Sequence, residues 1–560
     1  MSQDAFEVDI DEFLLNLREL AAWPADDPIV RWQPELLRLV ETNVQDADSV
    51  HARLAGSIAD PSTASAVTGW TADLTTFQTR DIERLLQLAH GANFSVPGAG
   101  KTRVALACFY ARREREEVRR LLVVSPKAAF ESWQTEAALC FRGAPLRIAI
   151  MDSPVPPFAD IVLINYERLA DSYASLVQWL RAQPALLVLD EAHRMKLGTA
   201  GTWGSACFAL GPYAARRMIL TGTPAPNGPK DLENLFSFVW PGQGRAEVTR
   251  AIAGKDLRSA STYLRPLFVR TTKRELNLPD VRIKLHRVEL PRLHRELYQA
   301  LLGQASSQSL GEPSLDALGG VVLYLLMAAT TPALLATGAT RHEPLPYRVP
   351  PLQAPEGSTL FTLMRDLPLY ELSPKYGEAA AIVAANAALG RKTLIWSTFV
   401  RNLTSLDRFL SQFQPAIVHG GSEDRAAQLA QFREDPDCFV LLSNPATLGE
   451  GVSLHQVCHD AIYIDRDFAA GRFIQSLDRI HRLGLAPGVE TRITILIASG
   501  TIDEIVEQRL AAKLRFMGMI LDDPAVLQLG DLEEEPNATA GMDQLDVQAL
   551  LQHITGDASG

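Results

Sequence analysis

Eight short apolar runs, each closing on small or polar residues, constrain the fold of this chain more than any other feature. Four lie in the first half: Leu121–Ser125, Ile161–Asn165, Leu186–Asp190 and Met218–Gly222. Four follow later: Thr393–Ser397, Phe439–Ser443, Ala461–Asp465 and Ile493–Ala498. Runs of this length and character suit strands buried on both faces. Stretches with helical spacing separate them, such as Thr102–Arg112 and Ala129–Cys140. Such alternation predicts an α/β fold, with parallel sheets covered by helices on both sides. The pattern stops near Trp240 and resumes at Thr393. Two α/β domains are therefore expected, over 71–240 and 373–500, with a mostly helical segment 241–372 between them. Residues 1–70 read as an acidic helical accessory segment. Residues 501–560 read as a returning helix, an acidic linker and a short helix near Asp543–Ile554.

The chemistry begins at Ser95-Val96-Pro97-Gly98-Ala99-Gly100-Lys101-Thr102. Gly98 and Gly100 allow backbone N–H groups to converge on phosphates. Lys101 can reach the β and γ phosphates of ATP, and the Thr102 hydroxyl can ligate Mg²⁺. The full pattern asks for glycine where Ser95 stands, so the loop alone could be a Gly-rich turn opening a helix. Leu186-Leu187-Val188-Leu189-Asp190-Glu191, about 90 residues downstream, decides between the two. An apolar strand there ends in two carboxylates. Asp190 suits the Mg²⁺ shell, and Glu191 suits orienting the attacking water.

Asp190-Glu191-Ala192-His193 resembles the DEAH signature of helicase superfamily 2. Leu220-Thr221-Gly222-Thr223-Pro224-Ala225-Pro226-Asn227 is similar to motif III of its Swi/Snf-type branch. Leu122–Lys127 with Trp133 resembles motif Ia, and Asn165-Tyr166-Glu167 the next DNA-facing motif. Gln78 stands where the family places an adenine-reading glutamine; its plain alternative is a surface glutamine. Gln475–Gly484 resembles motif VI, with Arg479 and Arg482 three apart. On a helix such residues share a face, which the resemblance assigns to a transition-state arginine role. Leu394–Phe399 resembles motif IV, and Ser443–Leu454 motif V. Gly449, Gly451 and Gln475 are carried over as nucleotide-side residues. Leu267–Lys273 resembles the branch's helical-protrusion signature. The likeness covers about residues 75–520. It departs at Ser95-Val96-Pro97 and at Phe468-Ala469-Ala470, where relatives usually have Trp-Asn-Pro.

The resemblance implies two RecA-like domains that hydrolyse ATP with Mg²⁺ in the cleft between them. It implies translocation on double-stranded DNA held through phosphate contacts, without strand separation. Only 10 of the 54 basic residues are lysine, a skew that suggests a compact member from a GC-rich bacterial genome. The expected setting is genome maintenance or anti-phage defence. Two rivals stand beside this expectation: a strand-separating DNA or RNA helicase, and an ATP-gated protein that grips or displaces a partner.

A net charge of −12 argues at first against a nucleic-acid partner. Its distribution does not. Residues 1–50 and 521–560 each carry a net −9, so the 470 residues between them carry +6. The acidic ends read as solvated helices and tails that aid solubility, or as docking sites for a basic protein partner. Five scattered cysteines give no disulfide framework and point to a reducing, cytoplasmic setting, and no signal peptide is visible. The uncharged stretch Ala317–Thr340 is interrupted by Gly319, Gly320, Pro332 and Gly338. It reads as a buried helix and not as a membrane span. His455, Cys458 and His459 are too cramped for a zinc site.

Overall fold

The computed structural model describes residues 33–520, apart from 57–69, 142–145, 152–155, 226–228, 254–256, 273–274, 277, 280, 310–314, 345–346, 423, 446–447, 449–453, 482–484 and 487. It also describes Phe13, Leu14, Asn16 and residues 544–555. These residues form two compact units: the first runs to Leu276 and takes in residues 515–520, and the second holds the chain from Asn277 to Leu514 together with the last helix.

Among the described residues of the first unit, seven strands form one sheet: β1 (Gly91–Asn93), β2 (Arg120–Val124), β3 (Ile148–Ile150), β4 (Ile161–Ile164), β5 (Ala185–Asp190), β6 (Arg216–Leu220) and β7 (Phe268–Val269). Their order is β3-β4-β2-β5-β6-β1-β7, and every pairing is parallel. β2, β4 and β5 are buried at every position, as their unbroken apolar runs require. Helix Lys101–Glu114 buries Val104, Leu106 and Phe109 against this sheet, and helix Phe130–Cys140 adds Trp133 and Ala137. Each fully buried Leu or Phe contributes roughly 1.5–3 kcal/mol.

The acidic N-terminal helix, Pro34–Leu54, is not a solvated tail. Asn43 Nδ2 donates to the Pro241 carbonyl (2.6 Å). Asp46 is buried 2.7 Å from His90 Nε2 and 3.8 Å from Arg217. The Arg217 backbone N–H donates to His90 Nδ1 (3.1 Å), so the ring proton sits on Nε2 and is donated to Asp46. Burial, with Arg217 alongside, pushes the His90 pKa down to about 4. Burial opposes the Asp46 charge, but the His90 hydrogen bond and the nearby arginine charge outweigh it and hold its carboxyl below the usual range. A neutral imidazole thus bridges a buried anion to a buried cation.

The second unit has six strands among its described residues: β8 (Val281–Val288), β9 (Lys392–Trp396), β10 (Ala416–Val418), β11 (Val440–Ser443), β12 (Cys458–Tyr463) and β13 (Thr491–Ala498). Their order is β10-β11-β9-β12-β13-β8, again all parallel. β7 and β8 fall in a stretch expected to be mostly helical. β7 has only two residues, too few to show a period, and β8 alternates Val, Ile and Leu with basic residues on an exposed sheet edge.

Helix Leu315–Thr330 explains the uncharged stretch: Val322, Leu325, Leu326 and Met327 lie in the core of the second unit. No described helix is long and apolar enough to cross a membrane. The C-terminal helix Gln544–Thr555 adds Leu550 and Ile554 to that core. Its Asp546 is fully buried between Arg509 (2.5 Å) and Lys513 (2.6 Å). A second buried pair ties the segment after the buried helix to helix Val400–Phe409. Glu343 and Arg401 are both 0% exposed and 3.0 Å apart. The Glu343 carboxylate also accepts the N–H groups of Val400 and Arg401, at the start of helix Val400–Phe409. None of the five cysteines forms a disulfide, and all are buried.

Candidate nucleotide site

Three adjacent strands of the first unit end at one level. Asn93 of β1 pairs with Leu220 of β6, and Leu220 pairs with Asp190 of β5. The chain leaves these strands as the phosphate loop, the Thr221-Gly222-Thr223 segment and the Asp190-Glu191 pair. A ligand site at the carboxyl ends of parallel strands follows from that topology. The Thr221 N–H donates to the Asn93 carbonyl (3.0 Å), which locks two of the three exits together. A Cβ at Gly222 would lie 2.9 Å from Pro97 Cδ, so this backbone approaches the phosphate loop as only glycine allows.

The loop turns through Gly98 (φ 85°) and Gly100 (φ 78°), both left-handed, and Gly100 directly precedes helix Lys101–Glu114. This opens a helix N-terminus toward the strand ends, where backbone N–H groups and the dipole favour an anion. Lys101 is buried and donates from Nζ to the Ser95 carbonyl (3.1 Å). Thr102 follows it on the first turn. Gln78 is also buried, and its amide is engaged on both sides. Its Oε1 accepts the Thr75 N–H (3.0 Å) in a capping box, and its Nε2 donates to the Ala99 carbonyl (3.1 Å). The side chain therefore fastens the loop from below.

Ser95, which departs from the usual glycine, has work for its hydroxyl. Its Oγ donates to Asp81 (3.1 Å) and accepts the Thr271 N–H (2.9 Å). Thr271 Oγ1 also donates to Asp81 (2.8 Å), and the Val96 N–H donates to the Thr271 carbonyl (3.1 Å). Arg270 Nη1 donates to the Phe94 carbonyl (2.6 Å). Residues 270–271, grouped by sequence with the helical protrusion, thus brace the phosphate loop. Asp81 carried no recognisable motif signal, and Thr271 only that of the protrusion; their contacts with Ser95 span 14 and 176 residues.

Asp190 is 7% exposed at the end of β5. Its Oδ2 accepts the Trp133 indole N–H (2.8 Å), its Oδ1 the Glu191 N–H (3.1 Å), and its carbonyl the Tyr166 hydroxyl (2.8 Å). Glu191 has left-handed backbone angles (φ 50°, ψ 51°), uncommon for a residue with a side chain. His193 Nδ1 lies 3.2 Å from Thr221 Oγ1 and 3.5 Å from Glu191 Oε2, joining the carboxylate exit to the Thr221 exit. No group of three or more His, Cys, Asp or Glu among the described residues could hold a metal by itself. A hydroxyl and a carboxylate, Thr102 and Asp190, form an all-oxygen pair of the kind that suits Mg²⁺ shared with phosphates.

In the second unit, Arg479 is buried and its carbonyl accepts the Leu454 N–H (2.9 Å). The helix carrying Gln475 runs Ala470–Leu477, so it ends before Arg479. The shared helical face expected for Arg479 and Arg482 is not what presents Arg479, which lies in turns closed by Ser476 and Leu477 carbonyls. Arg482, Gly449, Gly451 and the Gln475 side chain lie outside the described residues. The end of β9 is fixed by buried Asp465, which accepts from Ser397 Oγ (2.6 Å), the Thr398 N–H (2.6 Å) and Asn402 Nδ2 (3.1 Å). Burial pushes its carboxyl above the usual range.

Comparison with known proteins places these features in context. Residues 94–318 match the family model of the SNF2-related domain, and residues 376–484 that of the helicase conserved C-terminal domain. The transcription regulatory protein SNF2 of Saccharomyces cerevisiae is 23% identical over 475 residues, covering 76% of this chain and 26% of that protein. The nuclear protein STH1/NPS1 of the same yeast is 23% identical over 497 residues, covering 80% of this chain and 34% of that protein. The chain therefore spans about a quarter to a third of these relatives' length. Among solved structures, the Sulfolobus solfataricus SWI2/SNF2 ATPase core in complex with dsDNA is similar over 83% of this chain and 96% of that one. The identity is 22% and the TM-score 0.36.

Proposed function

Because the chain carries an SNF2-type ATPase domain of helicase superfamily 2, we propose that it is an ATP-hydrolysing motor that moves along double-stranded DNA without separating its strands. The observation that carries this reading is the convergence of Lys101, Asp190-Glu191 and Thr221–Thr223 at three adjacent strand ends. Phosphoryl transfer needs little covalent help from a protein; it needs charge and position. Lys101 leaves the Ser95 carbonyl for the β and γ phosphates. Backbone N–H groups at the start of helix Lys101–Glu114 take the remaining phosphate oxygens. Glu191 orients the attacking water and takes its proton. Thr102 and Asp190 would hold Mg²⁺, which would neutralise phosphate charge. Gln78, already bonded to the loop, reads adenine from there. Arg479 and Arg482 supply the transition-state arginine charge, with Gly449, Gly451 and Gln475 on the nucleotide side.

The net +6 of residues 51–520 supports phosphate contacts with a duplex. Asp46 and Asp546 are committed to buried ion pairs within the molecule, so a basic protein partner would use other acids of the two ends. The lysine-poor composition keeps a bacterial source, a cytoplasmic setting and a role in genome maintenance or anti-phage defence in this reading, although the relatives named above are eukaryotic and archaeal. The test is ATP turnover with duplex DNA, single-stranded DNA, RNA and no nucleic acid, alongside a forked-duplex unwinding assay. Duplex should stimulate most, and the fork should stay paired. Turnover indifferent to nucleic acid would instead indicate a partner-gripping ATPase, and efficient fork opening a strand-separating helicase.

A further inference from the structure

We infer that Tyr166 and Trp133 are positioning residues that hold the Asp190–Glu191 segment in its working geometry and set the aim of Glu191. The inference rests on the ATPase reading above. A non-glycine residue in the left-handed region persists where its surroundings over-determine it, and Glu191 is so surrounded. Tyr166 Oη donates to the Asp190 carbonyl (2.8 Å), the peptide group that joins Asp190 to Glu191. The Trp133 indole N–H holds Asp190 Oδ2 (2.8 Å), while Oδ1 turns back onto the Glu191 N–H (3.1 Å). The Glu191 carbonyl in turn accepts the Arg194 N–H (3.0 Å). The Asp190 carbonyl and the Glu191 N–H and carbonyl are therefore each bonded from a fixed direction.

Both clamps are themselves rigid. Trp133 and Tyr166 are each 1% exposed. The Tyr166 ring packs against Trp203 (6.0 Å between centroids) and the Arg194 guanidinium (5.7 Å), which itself lies 5.5 Å from the Trp203 ring. Arg194 also reaches Glu167, the half-exposed neighbour of Tyr166 (3.3 Å). One three-residue segment, 165–167, thus carries a surface carboxylate at one end and the hydroxyl that fixes Asp190 beside it. The hydroxyl is the only part of Tyr166 that the inference needs, and Tyr166→Phe removes it while leaving the ring in place.

The test is steady-state and single-turnover ATP hydrolysis by the full chain carrying Tyr166→Phe, Glu191→Gln, or both. Tyr166→Phe should lower kcat about tenfold, with KM for ATP and the thermal midpoint nearly unchanged. A residue acting only through Glu191 should add nothing once Glu191 is gone, so the double variant should match Glu191→Gln in single turnovers. A wild-type rate for Tyr166→Phe overturns the inference. So does an equal tenfold loss on both backgrounds, or a fall in kcat matched by lost ATP affinity and lost stability. Trp133→Phe, which removes the other donor, should show the same kcat-selective loss and provides a second route if Tyr166→Phe does not fold. Absence of ATP turnover in the unaltered protein would refute the ATPase reading and the inference with it, whereas turnover with a wild-type rate for Tyr166→Phe overturns the inference alone.

Discussion

The two units use the same parallel-sheet architecture but put their buried charge to different ends. In the first, polar groups gather where β1, β5 and β6 stop: Lys101 on the Ser95 carbonyl, Asp190 between Trp133 and Tyr166, Thr221 beside His193. In the second, the described buried ions brace helices and loops: Glu343 with Arg401, Lys375 with Asp503, Asp546 with Arg509 and Lys513. A buried ion pair adds little net stability, yet losing one partner costs several kcal/mol because the other charge is stranded. The first unit thus keeps one polar set, apart from Asp46 and Arg217, where a charged ligand could exchange for it. The three ion pairs of the second unit hold shape.

Substitutions can break this contrast. Lys101→Ala should lower ATP turnover by about a thousandfold or more, about 4 kcal/mol of transition-state stabilisation, while the unfolding midpoint barely moves. Surviving turnover would remove Lys101 from the chemistry. Arg482→Ala should reduce kcat by on the order of a hundredfold, less than a full arginine-finger loss because Arg479 persists. Nucleotide affinity, measured by fluorescent ATP analogue titration, should stay within a few-fold. Arg401→Ala should do the reverse of Lys101→Ala. It should cost about 3 kcal/mol in denaturant unfolding of the second unit, with little change in turnover per folded molecule. A large kcat effect at undiminished stability would mean that the second unit's ion pairs serve chemistry after all.

The smallest expected effect is pH-dependent and lies in the first unit. His90 has a folded pKa near 4 against about 6.5 when exposed. Between those values the unfolded chain binds more protons than the folded one, so stability rises with pH across that window. It should be fully present above about 6.5 and fall as pH drops toward 4, by about 2–3 kcal/mol at most. Urea unfolding at pH 7 and pH 5 reads it. His90→Gln should flatten the dependence, and an unchanged slope in that variant would assign it to other groups.

What the sequence made legible follows from how local each signal is. β2, β4, β5 and β6 stand within a residue or two of the predicted runs, because strands buried on both faces write themselves as continuous Leu, Ile and Val. β1, with three residues, and β7, with two, have no period to read. β8 does alternate, but it lay in a stretch read as helical. At the site, Lys101, Thr102, Asp190 and Glu191 were visible because phosphate loops and strand-end carboxylates are contiguous motifs. Trp133 and Tyr166 were visible too, as parts of DNA-facing motifs, but their hold on Asp190 was not. Trp133 reaches Asp190 across 57 residues and Thr271 reaches Asp81 across 190, and only the folded sheet brings either pair together. The acidic N-terminal helix was misjudged for the same reason: a charge count cannot distinguish a solvated aspartate from Asp46.

That helix changes where the gene can be cut. The family models begin at Phe94, and a shortened reading frame drawn to their edges would omit Asp46. Arg217 would then sit in β6 with its counter-charge deleted, one strand away from the phosphate loop. The folded unit of this domain is longer than its recognisable motifs, and part of what the extra length supplies is a counter-charge.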